Sequence, residues 1–323
     1  MKAVIIDQIN GPIEYKETPT PEPKEGQGIY KVLYSALNHR DLYISQGLYA
    51  KIQLPVIPGS DACVLDEITG EKYIINPNNN WGTDERAQSP DYHILGMPTQ
   101  GTLADYICID KSKIFPKPAH LSDAEAAALP LAGLTAYRAL CTRAQAQKGE
   151  KVLISGIGGG VALFAMQFAI ALGCEVYVTS SSQEKINNAK ELGAKNGFLY
   201  TDENWHKTCI ANKLAFDVII DSAGGNGFNQ LIAVAAPGGR IAIYGGTRGK
   251  VDGISPQIIF WKQLSILGST MGSDKDFKNM VDFVNEHKIK PLIQHQFNIA
   301  NAQEAFELMN KGHQFGKIVI SHS

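Results

Sequence analysis

Between Lys151 and Ser182 the chain sets small residues between apolar runs: KVLIS, then GIGGG, then VALFAMQFAIALG, then EVYVTSSS. Gly156, Gly158, Gly159, Gly160 and Val161 fall where a buried strand would turn into a helix. Small residues at such a turn let the backbone approach a pyrophosphate, and the first helical turn offers unpaired N–H groups at the positive end of the dipole. The spacing is not a strict G-x-G-x-x-G, because Val161 holds the sixth position. It fits the longer G-x-x-G-x-x-A through Gly156, Gly159 and Ala162. The following strand ends on Ser180, Ser181 and Ser182 rather than on an acidic residue. A carboxylate there would accept hydrogen bonds from both ribose hydroxyls of NAD and would repel a 2′-phosphate. Serine hydroxyls, with Lys185 one helical turn further on, suit a phosphomonoester instead. The expected cofactor is therefore NADPH. The competing reading is that the serines only cap the helix QEKINNAKELG while Lys185 is a solvated surface charge.

The elements that must hold this turn are legible in the hydrophobic pattern. From Lys151 onward, continuous Val/Ile runs alternate with amphipathic stretches: KVLIS, EVYVTSS, GFLY, FDVIID and RIAIYGG, separated by helical segments. That pattern predicts an α/β unit with a doubly wound parallel sheet covered on both faces. The first third of the chain differs. Short β-branched runs such as KAVIID, GIYKVLYSALN and GTLADYICID, broken by Pro and Gly, predict an antiparallel, loop-rich module. At LSDAEAAALPLAGLTAYRAL the texture becomes helical, with Ser122 and Glu125 spaced as a capping box. After Trp261 the chain reads as a strand, LSILGSTMG, a helix over 274–287, the segment IKPLIQHQFNI, a further helix and a closing strand KIVISH. The stretch NPNNNWGTDERAQSPDYH reads as a polar loop and a candidate mobile lobe. The expected division is 1–120, completed by 265–323, and 121–264.

Composition narrows the function further. A chain of 323 residues exceeds what one core usually fills. With 44% hydrophobic and 19% charged residues and a net charge of -2, it lacks the basic excess of a nucleic-acid or anionic-membrane binder. The apolar run near the N-terminus is too short for a signal-peptide core or a membrane span, so the expected location is the cytoplasm. The five cysteines are spread far apart, which fits neither a disulfide framework nor a metal knuckle.

Several segments, in order, resemble the medium-chain dehydrogenase/reductase superfamily. They are NHRDLYISQGLY, LPVIPGSDA, GTLADY, AAALPLAGLTAYRAL, the glycine turn, KELGA, FDVIIDSAGG, GGRIAIYGG and the closing GKIVIS. The resemblance implies a GroES-like, partly open β-barrel catalytic domain built from both chain ends, and a Rossmann nucleotide domain between them. Zinc-dependent members hold a catalytic metal with Cys, His and Cys or Asp. Here the first of those positions is Asn38 and the histidine position is Ser60, while LAGLTAY contains no thiol. Asn and Ser are poor zinc ligands, so no metal is expected. The pattern N-x-x-D-x-Y-x-x-x-G-x-Y, through Asn38, Asp41, Tyr43, Gly47 and Tyr49, is similar to the zinc-free quinone oxidoreductase branch. Ser45 and Gln46 depart from the Arg-Ser of many relatives, which removes a basic contact to substrate.

Reducing a simple ketone calls for an electrophile at the developing alkoxide, which zinc would supply. Quinones and conjugated carbonyls spread the incoming charge, so positioning and a few hydrogen-bond donors suffice. On the resemblance, Asn38 and Thr135 orient the nicotinamide ribose or the acceptor, and Tyr43 and Tyr49 line the acceptor pocket. Tyr200 is implied to reach the 2′-phosphate, and Gly224, Gly245 and Gly246 to lie near the nicotinamide half. The expected activity is NADPH-dependent hydride transfer to a small quinone or α,β-unsaturated carbonyl, by a homodimer associating through LSILGSTMG. Two rivals stay open: a zinc alcohol dehydrogenase, and a sensor or crystallin-like protein that binds NADPH without turnover.

Overall fold

The computed structural model describes residues 1–322 and divides them into two compact units, 1–134 with 273–322 and 135–272. Each is described by itself. In the second unit six strands form one parallel sheet. Their order is Asn196–Leu199, Glu175–Ser180, Lys151–Ile154, Phe216–Asp221, Ala235–Ile243 and Ser265–Gly268. The central strands are apolar on both faces because helices cover both; Val152, Leu153, Ile154, Val218, Ile219 and Ile220 are fully buried. The strand order reverses between Lys151–Ile154 and Phe216–Asp221. At that point the connections leave in opposite directions and open a crevice at the carboxyl ends, where sheets of this kind bind ligands. This is the doubly wound Rossmann arrangement.

The boundaries differ from those expected. Ser265–Gly268 pairs in parallel with Ala235–Ile243, Ile241 opposite Ile266, and so completes the Rossmann sheet instead of opening the other unit. Residues 121–134 group with the first unit, since the helix Asp123–Ala128 packs on the strands Gln27–Ala36 and Asp61–Leu65. Its capping box is formed as the sequence predicts: Ser122 Oγ accepts from Glu125 N, and the Glu125 carboxylate accepts from Ser122 N.

The first unit is organised by the ten-residue strand Gln27–Ala36. Its first half pairs with Tyr106–Asp110 and its second half with the closing strand Lys317–Ser321, so the tail of the chain returns to the N-terminal module. The mixed sheet continues through Asp61–Leu65, Lys72–Ile75 and Ile114–Pro116 on one side, and Ile293–Asn298 on the other. This is the GroES-like, partly open barrel. Leu37, Leu103, Phe306, Ile318 and Ile320 share one core beneath it. The polar stretch after Asn78 has more order than the sequence indicates. Asn78–Asn79 pairs with His93–Ile94, and Trp81 is buried at 2% exposure with the Tyr92 ring edge-on 5.2 Å away. One large aromatic supplies enough apolar burial to organise an otherwise polar loop.

Candidate active site

The short helix His39–Ser45 follows Asn38, whose extended backbone places it at the N-cap. Asp41, one turn in, is fully buried, and its carboxylate accepts from Asn38 N at 2.8 Å and Gly59 N at 3.1 Å. It thereby ties the helix start to the loop before Asp61–Leu65. Desolvation raises its pKa, opposed by Arg40 and these N–H donors. The Asn38 side chain enters a buried polar cluster. Its Nδ2 donates to Asp61 Oδ2 at 2.9 Å, and its Oδ1 accepts from Lys317 Nζ at 2.7 Å. Lys317 also donates to Asp61 Oδ2 at 2.9 Å and to the Leu37 carbonyl at 2.9 Å. Asp61 Oδ1 accepts from Leu131 N at 2.7 Å. The other ligand-like position, Ser60, is equally engaged. Arg40 Nη1 donates to Ser60 Oγ at 2.7 Å, and that hydroxyl donates to the Leu95 carbonyl at 2.7 Å. The Arg40 guanidinium also lies 5.2 Å above the Tyr49 ring.

This donor set does not fit zinc. Two cations, Arg40 and Lys317, are hydrogen-bonded into the positions that zinc-dependent relatives give to ligands, and a divalent ion beside them would be repelled. Among the described residues no group of three or more His, Cys, Asp or Glu could hold a metal ion. The sequence shows Asn38 and Ser60 but not the cations that engage them. His39, the first residue of the short helix, has its pKa lowered by desolvation and then by the Lys317 ammonium. Tyr43 is half-buried, 6.2 Å from the His39 ring. Tyr49 is half-buried too, against Ile6, Ile44, Val56 and Met97. Thr135 lies in the other unit, and its hydroxyl meets the Met271 sulfur at 3.6 Å.

In the Rossmann unit the glycine turn has the backbone that phosphate approach needs. Gly156 and Gly158 adopt φ of 68 and 136°, and Gly159 caps the helix Gly160–Ala171, with Val161 in its first turn. A side-chain carbon added at Gly159 would meet nothing within 4 Å, which leaves an open cradle at the helix start. Thr179 pins the turn, its hydroxyl accepting from Gly156 N at 3.1 Å and its carbonyl from Ile157 N at 2.8 Å. Across the switch point Ser155 donates to Asp221, whose carboxylate also accepts from Gly224 N at 2.9 Å. A Cβ at Gly245 would stand 2.5 Å from the Ser222 carbonyl, whereas Gly246 faces open space.

At the serine run the roles divide. Ser182 caps the helix Gln183–Glu191, accepting from Lys185 N, and Ser180 Oγ accepts from Ser182 N at 3.1 Å. Ser181 is exposed. Desolvation lowers the pKa of half-buried Lys185. Tyr200 N donates to the Ser180 carbonyl at 3.0 Å, and the Arg248 guanidinium lies 4.5 Å over the Tyr200 ring. Arg248 carries no motif, and its link to the serine run, through Tyr200, is visible only in three dimensions.

These two units have close counterparts. A sequence model of the family described as zinc-binding dehydrogenase matches residues 160–286. A zinc-type alcohol dehydrogenase-like protein, YogA, of Leptosphaeria maculans is 35% identical over 97% of this chain and 95% of its own. The crystal structure of an NAD-dependent alcohol dehydrogenase superposes with a TM-score of 0.93 at 33% identity, covering 100% of both chains. The quinone oxidoreductase of Thermus thermophilus, solved alone and with NADPH, gives 0.83 at 27%, covering 99% of this chain and 100% of its own. Identity at this level over nearly the whole length, with the glycine cradle and the barrel cluster in place, establishes that the chain belongs to the medium-chain dehydrogenase/reductase superfamily of oxidoreductases.

Proposed function

We propose that the protein is a zinc-independent, NADPH-dependent oxidoreductase that reduces a quinone or an α,β-unsaturated carbonyl. The observation that carries this reading is the hydrogen bonding of Arg40 and Lys317 into Ser60, Asn38 and Asp61. With those groups committed, the site offers hydrogen bonds and no Lewis acid, which favours acceptors whose own conjugation disperses charge. The cofactor, when bound, supplies the hydride. The chain's part is to hold it and to orient the acceptor. Gly156, Gly158, Gly159, Gly160 and Val161 would cradle the pyrophosphate. Ser180, Ser181, Lys185 and Tyr200 would take the 2′-phosphate, and Gly224, Gly245 and Gly246 the nicotinamide half. Asn38 would donate to the acceptor oxygen, with Tyr43 and Tyr49 lining its pocket, and Thr135, in the nucleotide unit, would orient the nicotinamide ribose.

NADPH oxidation followed with matched acceptors tests the reading. A quinone or an alkenal should exceed the saturated aldehyde of the same length by about 10²-fold in kcat/KM, since one lost transition-state stabiliser is worth that much. Equal rates for the saturated and conjugated compounds would overturn it. A homodimer is part of the same proposal. The strand Ser265–Gly268 ends the sheet, and beside it Trp261 and Phe260 are 80% and 54% exposed. An unpaired strand edge next to large apolar side chains fits a second copy of the chain across a two-fold axis.

A further inference from the structure

The cluster around Asn38 has a hydrogen-bond count that assigns a direction to its amide. An ammonium can only donate and a carboxylate can only accept. The group facing Lys317 Nζ must therefore be the amide oxygen, and the group facing Asp61 Oδ2 must be the amide nitrogen. The three hydrogens of Lys317 are all used, on the Leu37 carbonyl, Asn38 Oδ1 and Asp61 Oδ2. Asp61 is committed on both oxygens, to Leu131 N at Oδ1 and to Asn38 and Lys317 at Oδ2. Of the side-chain donors in the trio, only the second N–H of Asn38 is left over. Asn38 is also the most exposed of the three, at 7% against 4% for Lys317 and 0% for Asp61.

We propose that Lys317 and Asp61 are positioning residues that lock the Asn38 amide as a hydrogen-bond donor to the acceptor's carbonyl oxygen. This inference rests on the proposed reduction of a conjugated carbonyl and names the group that recognises its oxygen. The cation on Oδ1 draws electron density from the amide and strengthens the remaining N–H as a donor, as hydrogen bonds in series do at low dielectric. The amide cannot flip. A flipped Asn38 would present N–H to an ammonium and a carbonyl to a carboxylate, two buried repulsive contacts. The arrangement supplies a fixed partial positive charge where negative charge develops on the acceptor, without a metal.

The test is a double-mutant cycle on the full chain, read as kcat/KM for a quinone, with NADPH affinity and thermal unfolding measured alongside. Asn38→Ala should lower kcat/KM by about 10²-fold while leaving the NADPH Kd within twofold, as loss of one oxyanion donor does. Lys317→Met should lower it about 10-fold in the parent chain, yet by less than about twofold once Asn38 is already Ala, because it acts through that amide. Asn38→Asp keeps the contact with Lys317 but has no N–H, and should be as impaired as Asn38→Ala. Should Lys317→Met fail to fold, Asp61→Asn, close in shape to the native side chain, completes the same cycle. Equal losses from Lys317→Met with and without Asn38, or an Asn38→Asp chain as active as the parent, would overturn the proposal while leaving the functional reading intact. A parent chain that oxidises NADPH with no quinone or enone would overturn both.

Discussion

Lys185 and Arg248 are held differently around the strand end that Ser180 closes. Lys185 is half-buried on its helix, with its pKa lowered by desolvation, and a phosphate would relieve that cost. Arg248 is stacked on Tyr200, whose backbone is bonded to Ser180. If both face a 2′-phosphate, Lys185→Ala and Arg248→Ala should each raise the Kd for NADPH about 10-fold and leave that for NADH unchanged, since a charge-assisted hydrogen bond is worth about 1.4 kcal/mol or more. Titration calorimetry with both coenzymes checks this; equal losses for both would assign the two cations elsewhere. A second residue-scale prediction concerns stability. His322 Nε2 meets Ser35 Oγ at 2.9 Å, and because Ser35 itself donates to the Thr102 carbonyl, the ring must donate there. Burial lowers the pKa of His322 from 6.5 to about 4. Between those values the unfolded chain takes up a proton that the folded chain refuses, so stability falls as pH drops. The slope contributed is up to about 1.4 kcal/mol per pH unit. Urea unfolding at pH 7 and 5 should show a shallower loss for His322→Gln than for the parent, and identical losses would contradict the assignment.

Among the elements, the glycines separate into those the fold needs and those the ligand needs. Gly245 lies 2.5 Å, by its missing Cβ, from a backbone carbonyl that cannot yield, so Gly245→Ala should destabilise the chain by about 1–3 kcal/mol. Gly159 has an ordinary φ of -78° and open space around the same position. Gly159→Ala should therefore leave the unfolding temperature unchanged but weaken NADPH about 10-fold or more, because the methyl would enter the space a pyrophosphate requires. Calorimetric melting should separate the two variants, and coenzyme titration of Gly159→Ala should show the weaker binding; unchanged affinity there would contradict the cradle. The repeating strand–helix units were legible because each is local: a Val/Ile run, a glycine turn and an apolar helix face follow one another within a few tens of residues. The helix Asp274–His287 and the Ser122 cap were legible for the same reason. The pairing of Ser265–Gly268 with Ala235–Ile243 is not legible in the sequence, because a short apolar run carries no mark of its partner.

At the scale of the whole chain, what could not be read was the long-range pairing that builds the site. Lys317 stands 256 positions from Asp61, in a strand whose other residues are mostly apolar, and nothing in its surroundings announces an ion pair. Arg40 in NHRD was visible but silent, since only the fold brings it to Ser60 and Leu95. The resemblance carried by Asn38, Asp41, Tyr43 and Tyr49 placed the chain in its family without these contacts. Association is the property of the whole molecule that the edge strand addresses. Light scattering should give twice the 35.1 kDa chain mass, and Trp261→Asp with Phe260→Asp should give the single mass with an unchanged far-UV circular dichroism spectrum, both side chains being exposed. A parent chain of single mass would contradict that proposal.

We propose that the hydrogen-bonded cations Arg40 and Lys317 stand where a metal would in the cluster of Asn38, Ser60 and Asp61. The most direct test is steady-state NADPH oxidation with a quinone by purified protein, with zinc content determined on the same sample before and after exhaustive chelation. Turnover should survive chelation undiminished in protein containing far less than one zinc per chain. Stoichiometric zinc whose removal abolishes turnover, and whose return restores it, would show that this cluster is a metal site after all.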